Sequence, residues 1–104
     1  AMNDLMRPAL YNAFHQIMPA IKSNKRIKKT YEFVGPICES TDKFLTTKTF
    51  QMLNEKDLVI ILDVGAYGMS LSSNYNLRPK ALELLIKKSK IQIINRRQNL
   101  RDLI

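Results

Sequence analysis

Leu58-Val59-Ile60-Ile61-Leu62 is an unbroken branched apolar run that stops at Asp63 and passes into Val64-Gly65-Ala66-Tyr67-Gly68. The run has the length of a strand, and β-branched side chains favour extended backbone. Without polar alternation it reads as a strand buried on both faces. Upstream, Asn54-Glu55-Lys56-Asp57 reads as a hairpin turn, and Phe44 to Met52 is compatible with either helix or strand. Tyr31, Phe33 and, past the turn-prone Gly35-Pro36, Ile37 alternate as on a half-buried strand. Lys22 to Lys29 reads as a loop. Ala9 to Ile17, bracketed by Pro8 and Pro19, is one short element of open type. Downstream, Met69 to Asn76 is small and polar, and Pro79 holds Arg78 extended. Leu82 to Ile86 and Ile91 to Ile94 are strands joined by a turn at Lys87-Lys88-Ser89-Lys90, and Asn95 to Ile104 is a tail or short helix. The fold class is mainly β and mostly antiparallel, a small sandwich or partly open barrel.

At 104 residues the chain makes one domain, and 45% apolar with 25% charged residues excludes a wholly disordered polymer. No apolar run approaches the ~18 residues that cross a bilayer, and no signal sequence opens the chain. One cysteine and one histidine form neither a disulfide nor a zinc site. The expectation is a reduced, cytoplasmic protein with no metal. Lysine and arginine exceed aspartate and glutamate by 17 to 9, concentrated at Lys22–Lys29 and from Lys87 to Arg101. Such stripes can track a phosphate backbone, but no aromatics interleave with the first cluster as a base-stacking platform requires. Solvated surface is the favoured reading over a nucleic-acid site.

Three segments are more particular than a basic β domain needs. They are Met6-Arg7-Pro8-Ala9-Leu10-Tyr11, Val34-Gly35-Pro36-Ile37-Cys38-Glu39-Ser40-Thr41-Asp42, and the long run from Asp63 through Tyr67 and Asn74-Tyr75-Asn76 to Arg78-Pro79. In this order and spacing they resemble the C-terminal β domain of the diaminopimelate decarboxylase family. These are pyridoxal-phosphate-dependent enzymes of alanine-racemase-like architecture. The similarity runs from about Asp4 to the end, where Ile94-Asn95-Arg96-Arg97-Gln98 looks like the family's closing strand.

The resemblance implies a Greek-key-like barrel or sandwich, here incomplete. It implies that residues 1–104 are a single C-terminal domain or a piece of one, and that the N-terminal (β/α)8 barrel is absent. That barrel carries the lysine that couples to the cofactor, and none of this chain's lysines matches it. The barrel would be supplied in cis or by a separate chain, and the isolated 104 residues are expected to be inactive. The implied reaction converts meso-2,6-diaminopimelate to L-lysine and CO2, in a homodimer with shared active sites.

The same resemblance assigns residue roles. Cys38 is the proton donor, entering the partner subunit's site. A lone cysteine is more often a buried hydrophobe, yet an ordinary thiol keeps its proton near neutrality and can act as an acid. Glu39 meets the substrate ammonium, and Arg7 grips the distal carboxylate through its planar fork, with Tyr11 beside it. Tyr67 contacts pyridoxal 5'-phosphate, with flanking glycines that let backbone approach closely. His15 reads as structural, and Ser72, Ser73, Asn74 and Tyr75 as shaping their loop and the dimer contact. The family usually has glycine where Thr41 stands. Related ornithine and arginine decarboxylases carry aspartate after the cysteine, where this chain has Glu39. The alternative of another class is a non-catalytic module for dimerisation or nucleic-acid binding.

Overall fold

The computed structural model describes residues 1–104. Six strands pair two by two, always antiparallel: β1 (Ile17–Pro19) with β4 (Val59–Ile61), β2 (Lys28–Val34) with β3 (Lys43–Gln51), and β5 (Glu83–Lys87) with β6 (Lys90–Asn95). Two short helices, α1 (Arg7–Tyr11) and α2 (Gly65–Gly68), and 3₁₀ turns at Tyr75–Leu77 and Leu100–Leu103 connect them. The chain is mainly β, as expected, and its three ribbons do not close into a barrel.

Ala9 to Ile17 is two elements rather than one. Pro8 lies in the first turn of α1, where a missing N–H costs nothing. Asn12 then adopts the left-handed conformation (φ 52) and returns its N–H to the Arg7 carbonyl, ending the helix. Pro19 is the last residue of β1 rather than a boundary beyond it.

Phe44 to Met52 resolves as strand through cross-strand pairing, with Phe33 opposite Leu45 and Tyr31 opposite Thr47. Tyr31, Phe33 and Phe50 pack with ring centroids 5.0–6.1 Å apart. Phe50 meets both other rings edge to face, a contact that adds about 0.5–1.5 kcal/mol beyond burial. The Tyr31 hydroxyl also accepts the Leu53 N–H at 2.8 Å. Ile37 is buried, but in the loop after β2 rather than on a strand. Asn54 to Asp57 does turn, with the Asp57 N–H donating to the Asn54 carbonyl at 3.2 Å. It is no hairpin, because β3 and β4 belong to different ribbons.

Leu58 to Leu62 is extended. Its ladder with β1 is lengthened by the Ala20 N–H to the Leu58 carbonyl and the Leu62 N–H to the Gln16 carbonyl, both 2.9 Å. Burial on both faces is not observed: Leu58 is 74% exposed, and Val59 and Ile60 are exposed as well. β4 has a neighbour on one edge only, and of the run just Ile61 and Leu62 are half-buried.

Nine residues are buried. They centre on the N-terminal segment (Met2, Asn3, Leu5) and what it touches, notably Asp42, whose carboxylate accepts the Met2 N–H. A compact monomer of 12.0 kDa exposes about 6,000 Å² and has a radius of gyration near 13 Å. This chain exposes 8363 Å² with a radius of 15.2 Å. Many large apolar side chains are among the exposed residues, and β5–β6 shows it best: Leu84, Leu85, Ile86, Ile91, Ile93 and Ile94 all face solvent.

Candidate active site

The five-residue length of α1 sets Arg7 and Tyr11 at i and i+4, on one face of the helix. The Arg7 guanidinium lies 3.3 Å from His15 Nε2, and His15 Nδ1 lies 2.9 Å from the Leu62 carbonyl oxygen. His15 is 2% exposed, so the end of β4 and the start of the chain meet through a buried imidazole. Arg7 takes part in none of the three ion pairs, which join Ala1 to Asp4, Lys43 to Glu32 and Arg96 to Asp102. Its charge is free for an outside anion. Tyr11 is exposed beside it.

Cys38 and Glu39 stand at the exposed tip of the loop between β2 and β3. The Gly35 N–H closes this loop on the Asp42 carbonyl at 2.8 Å. The buried Asp42 carboxylate accepts the Ile37 and Met2 N–H groups, each at 2.8 Å, pinning the loop to the N-terminal segment. Glycine is needed at 35 for room, since a Cβ there would lie 2.1 Å from Asp42 Oδ2. Thr41 is not among the residues with positive φ, so its replacement of the family's glycine leaves the turn unstrained.

Glu39 Oε1 accepts a hydrogen bond from the Tyr75 hydroxyl. That bond and the carboxylate's charge hold the hydroxyl above its ordinary pKa of 10.0, with partial burial and the nearby Cys38 adding to the rise. The loop behind Tyr75 is fixed by Asn74, whose side-chain amide donates to the Arg78 carbonyl and to Gln98 Oε1 at 2.9 and 2.7 Å. Tyr75 therefore belongs with Cys38 and Glu39, a placement the sequence reading did not make. Glu39 and Tyr75 are 36 positions apart, with no local pattern that pairs them.

Tyr67 is exposed on α2. Neither neighbouring glycine has a left-handed φ, and a Cβ at Gly65 would meet nothing within 4 Å. The glycines are thus not required by this chain's own packing, and the backbone at Gly65 faces open space. A phenol beside uncovered backbone fits one edge of a phosphate-bearing cofactor.

The named residues form separate groups: Arg7, Tyr11 and His15; Cys38, Glu39 and Tyr75; and Tyr67. No hydrogen bond or ion pair joins one group to another. A cleft of about 400 Å³ between α1 and β3 is lined by Pro8, Asn12, Ser40 and Phe44 among others, and by none of the five residues first singled out. No helix is long and apolar enough to cross a membrane.

Residues 1–65 match the family described as pyridoxal-dependent decarboxylase, C-terminal sheet domain. A diaminopimelate decarboxylase of Helicobacter pylori (strain ATCC 700392 / 26695) is 45% identical over 102 residues, covering 98% of this chain and 25% of the relative. That of Aquifex aeolicus (strain VF5) is 39% identical over 98 residues, covering 94% and 23%. Among solved structures, the H. pylori diaminopimelate decarboxylase complexed with L-lysine superposes with a TM-score of 0.88 at 44% identity, over 98% of this chain and 25% of that one. The M. jannaschii diaminopimelate decarboxylase in co-complex with L-lysine gives 0.90 at 37%, over 98% and 23%. The chain spans about a quarter of the length of the curated relatives it matches. With strands, loops and motifs agreeing in order along the whole length, the chain belongs to the pyridoxal-dependent decarboxylases, as their C-terminal sheet domain.

Proposed function

We propose that the chain is the C-terminal domain of a cytoplasmic diaminopimelate decarboxylase, which removes CO2 from meso-2,6-diaminopimelate and leaves L-lysine. The observation that carries this is its superposition, over 98% of its length, on the relative crystallised with L-lysine. The free Arg7 charge adds to it. A grip for a second carboxylate suits diaminopimelate and has no partner in ornithine or arginine bound by the same end. The barrel or sandwich is completed by strands outside these residues, and the exposed faces of β4 and of β5–β6 are where they would lie. The (β/α)8 barrel joins in cis or as a separate chain.

Pyridoxal phosphate, when bound, supplies the electron sink for the pair left behind as CO2 departs. Of this chain, Tyr67 would hold it through its hydroxyl. Arg7 binds the distal carboxylate with two parallel N–H donors, and Tyr11 adds a hydroxyl one helical turn on. Glu39 pairs with the substrate ammonium, and the Cys38 thiol delivers a proton to the reacting carbon. The Cys38 loop would serve the partner subunit of a homodimer. Its exposure, and the lack of any link to Arg7 within the chain, support that arrangement.

The test is an exchange. The H. pylori relative with its matching quarter replaced by this chain, and supplied with pyridoxal phosphate, should release CO2 from meso-diaminopimelate with stoichiometric lysine. It should leave ornithine and arginine intact. A folded, cofactor-loaded exchange enzyme that prefers ornithine or arginine, or decarboxylates nothing, would overturn the reading. The 104 residues alone should be inactive.

A further inference from the structure

We infer that His15 is a positioning residue for Arg7: a neutral imidazole, locked in one tautomer, that aims the guanidinium without neutralising it. The inference rests on the reading of Arg7 as the carboxylate grip. The Leu62 carbonyl can only accept, so His15 Nδ1, 2.9 Å away, must carry the proton. Arginine can only donate, so Nε2, 3.3 Å from the Arg7 terminal nitrogen, must present its lone pair. Both neighbours demand the same neutral form, and a second ring proton would point at a cation. The imidazole is 2% exposed, so no water substitutes for either partner.

This choice of acceptor has a chemical consequence. Arginines are commonly oriented by carboxylates, which neutralise the charge they orient. Here no carboxylate pairs with Arg7. One terminal N–H is spent on a neutral ring, and the remaining N–H groups, with the full positive charge, stay available for an incoming carboxylate. The Leu62 bond ties the ring to the end of β4, which continues directly toward α2 and Tyr67. The substrate grip and the cofactor contact are thereby referred to the same strand.

Two substitutions separate the functions of the ring in the exchange enzyme. His15→Asn keeps a donor for Leu62 and loses the acceptor for Arg7, whereas His15→Gln can still offer an oxygen near the Nε2 position. His15→Asn should raise KM for meso-diaminopimelate by roughly tenfold, the size of one bond to a charged group, with kcat within about twofold. His15→Gln should recover most of that loss. In an Arg7→Ala background His15→Asn should add nothing further. Additive effects, or a kcat loss without a KM change, would overturn the inference. Nitrogen NMR of the wild-type imidazole decides it independently of turnover: a protonated Nδ1 with unprotonated Nε2 is expected. An Nε2–H tautomer or an imidazolium at neutral pH would refute it. If the exchange enzyme fails to decarboxylate, the reading of function fails, and the NMR result still rules on the geometry.

Discussion

Asp42 is where the Cys38 loop can be loosened without touching any residue assigned to chemistry. Its carboxylate is 3% exposed and accepts two backbone N–H groups at 2.8 Å, one from Ile37 inside the loop and one from Met2. A hydrogen bond to a charged acceptor contributes about 1.5–3 kcal/mol, and a donor left buried without a partner costs about as much as the bond it lost. Asp42→Ala removes both acceptors and should destabilise the domain by ~3–5 kcal/mol. With nine buried residues, the domain belongs at the low end of the usual ~5–15 kcal/mol, so alanine should come close to unfolding it. Asp42→Asn is the graded variant. It keeps one oxygen and turns an NH₂ toward the other N–H, for a loss of ~2 kcal/mol. Equilibrium urea unfolding measures the global term. Amide exchange at Ile37 measures the local one, which should speed up by roughly thirtyfold in the asparagine variant. Unchanged stability and unchanged Ile37 exchange in Asp42→Asn would show that the carboxylate does not organise the loop.

Three other outcomes are expected. The hydrogen bond from Tyr75 to Glu39 stabilises the protonated phenol, so its contribution is complete below pH 10.0 and lost as pH rises through the higher folded value; an ultraviolet titration should show one of the four tyrosines ionising late, and Glu39→Ala, which removes both the acceptor and the charge, should abolish the delay. In the exchange enzyme Cys38→Ala should lower kcat by ~10²–10⁴ with little change in KM, and mixing it with a chain lacking the cofactor-coupling lysine should restore part of the activity. Failure to complement with proven dimer exchange would place Cys38 outside a shared site. The isolated chain should self-associate to cover its apolar ribbon faces, so a clean monomer in light scattering at high concentration would contradict the surface argument.

The legible parts of the fold were those written in local pattern. Leu58 to Leu62 announced a strand by β-branching, and the turn expected at Lys87-Lys88-Ser89-Lys90 is there, shortened to Lys88-Ser89 because both strands run one residue further into it. What the pattern could not show was context. An all-apolar run predicts a covered strand, but whether anything covers it depends on residues elsewhere, and here only Ile61 and Leu62 are partly covered. Phe44 to Met52 became a strand only through its pairing with β2. The site divides in the same way. Arg7 and Tyr11 were legible together only through the motif they share, and Cys38-Glu39 as adjacent residues; that Arg7 and Tyr11 sit at i and i+4 of a helix came from the structure. The contacts of His15 with Leu62 and of Tyr75 with Glu39 span 47 and 36 residues and leave no trace in spacing.

The β5–β6 ribbon has Leu84 and Ile86 against Ile93 and Ile91 on one face, and Leu85 opposite Gln92 beside the Lys87–Lys90 pair on the other. A one-residue slip normally drags a hydrophobic face into water, and that penalty fixes strand alignment. Here both faces already meet water, so sliding carries little penalty until a partner surface arrives. Alignment must come from the ends. At one, Lys88 and Ser89 both take left-handed angles (φ 46 and 59) to close a two-residue loop. At the other, the Asn95 side chain donates to Glu83, beyond a bulge that skips Ile94. The Lys87–Lys90 pair beside the loop repels itself. Correct alignment is therefore set by a strained loop and one polar clasp rather than by burial. Lengthening the loop by a single residue should free the ribbon to sample both alignments, each presenting a different apolar pattern to whatever docks on it.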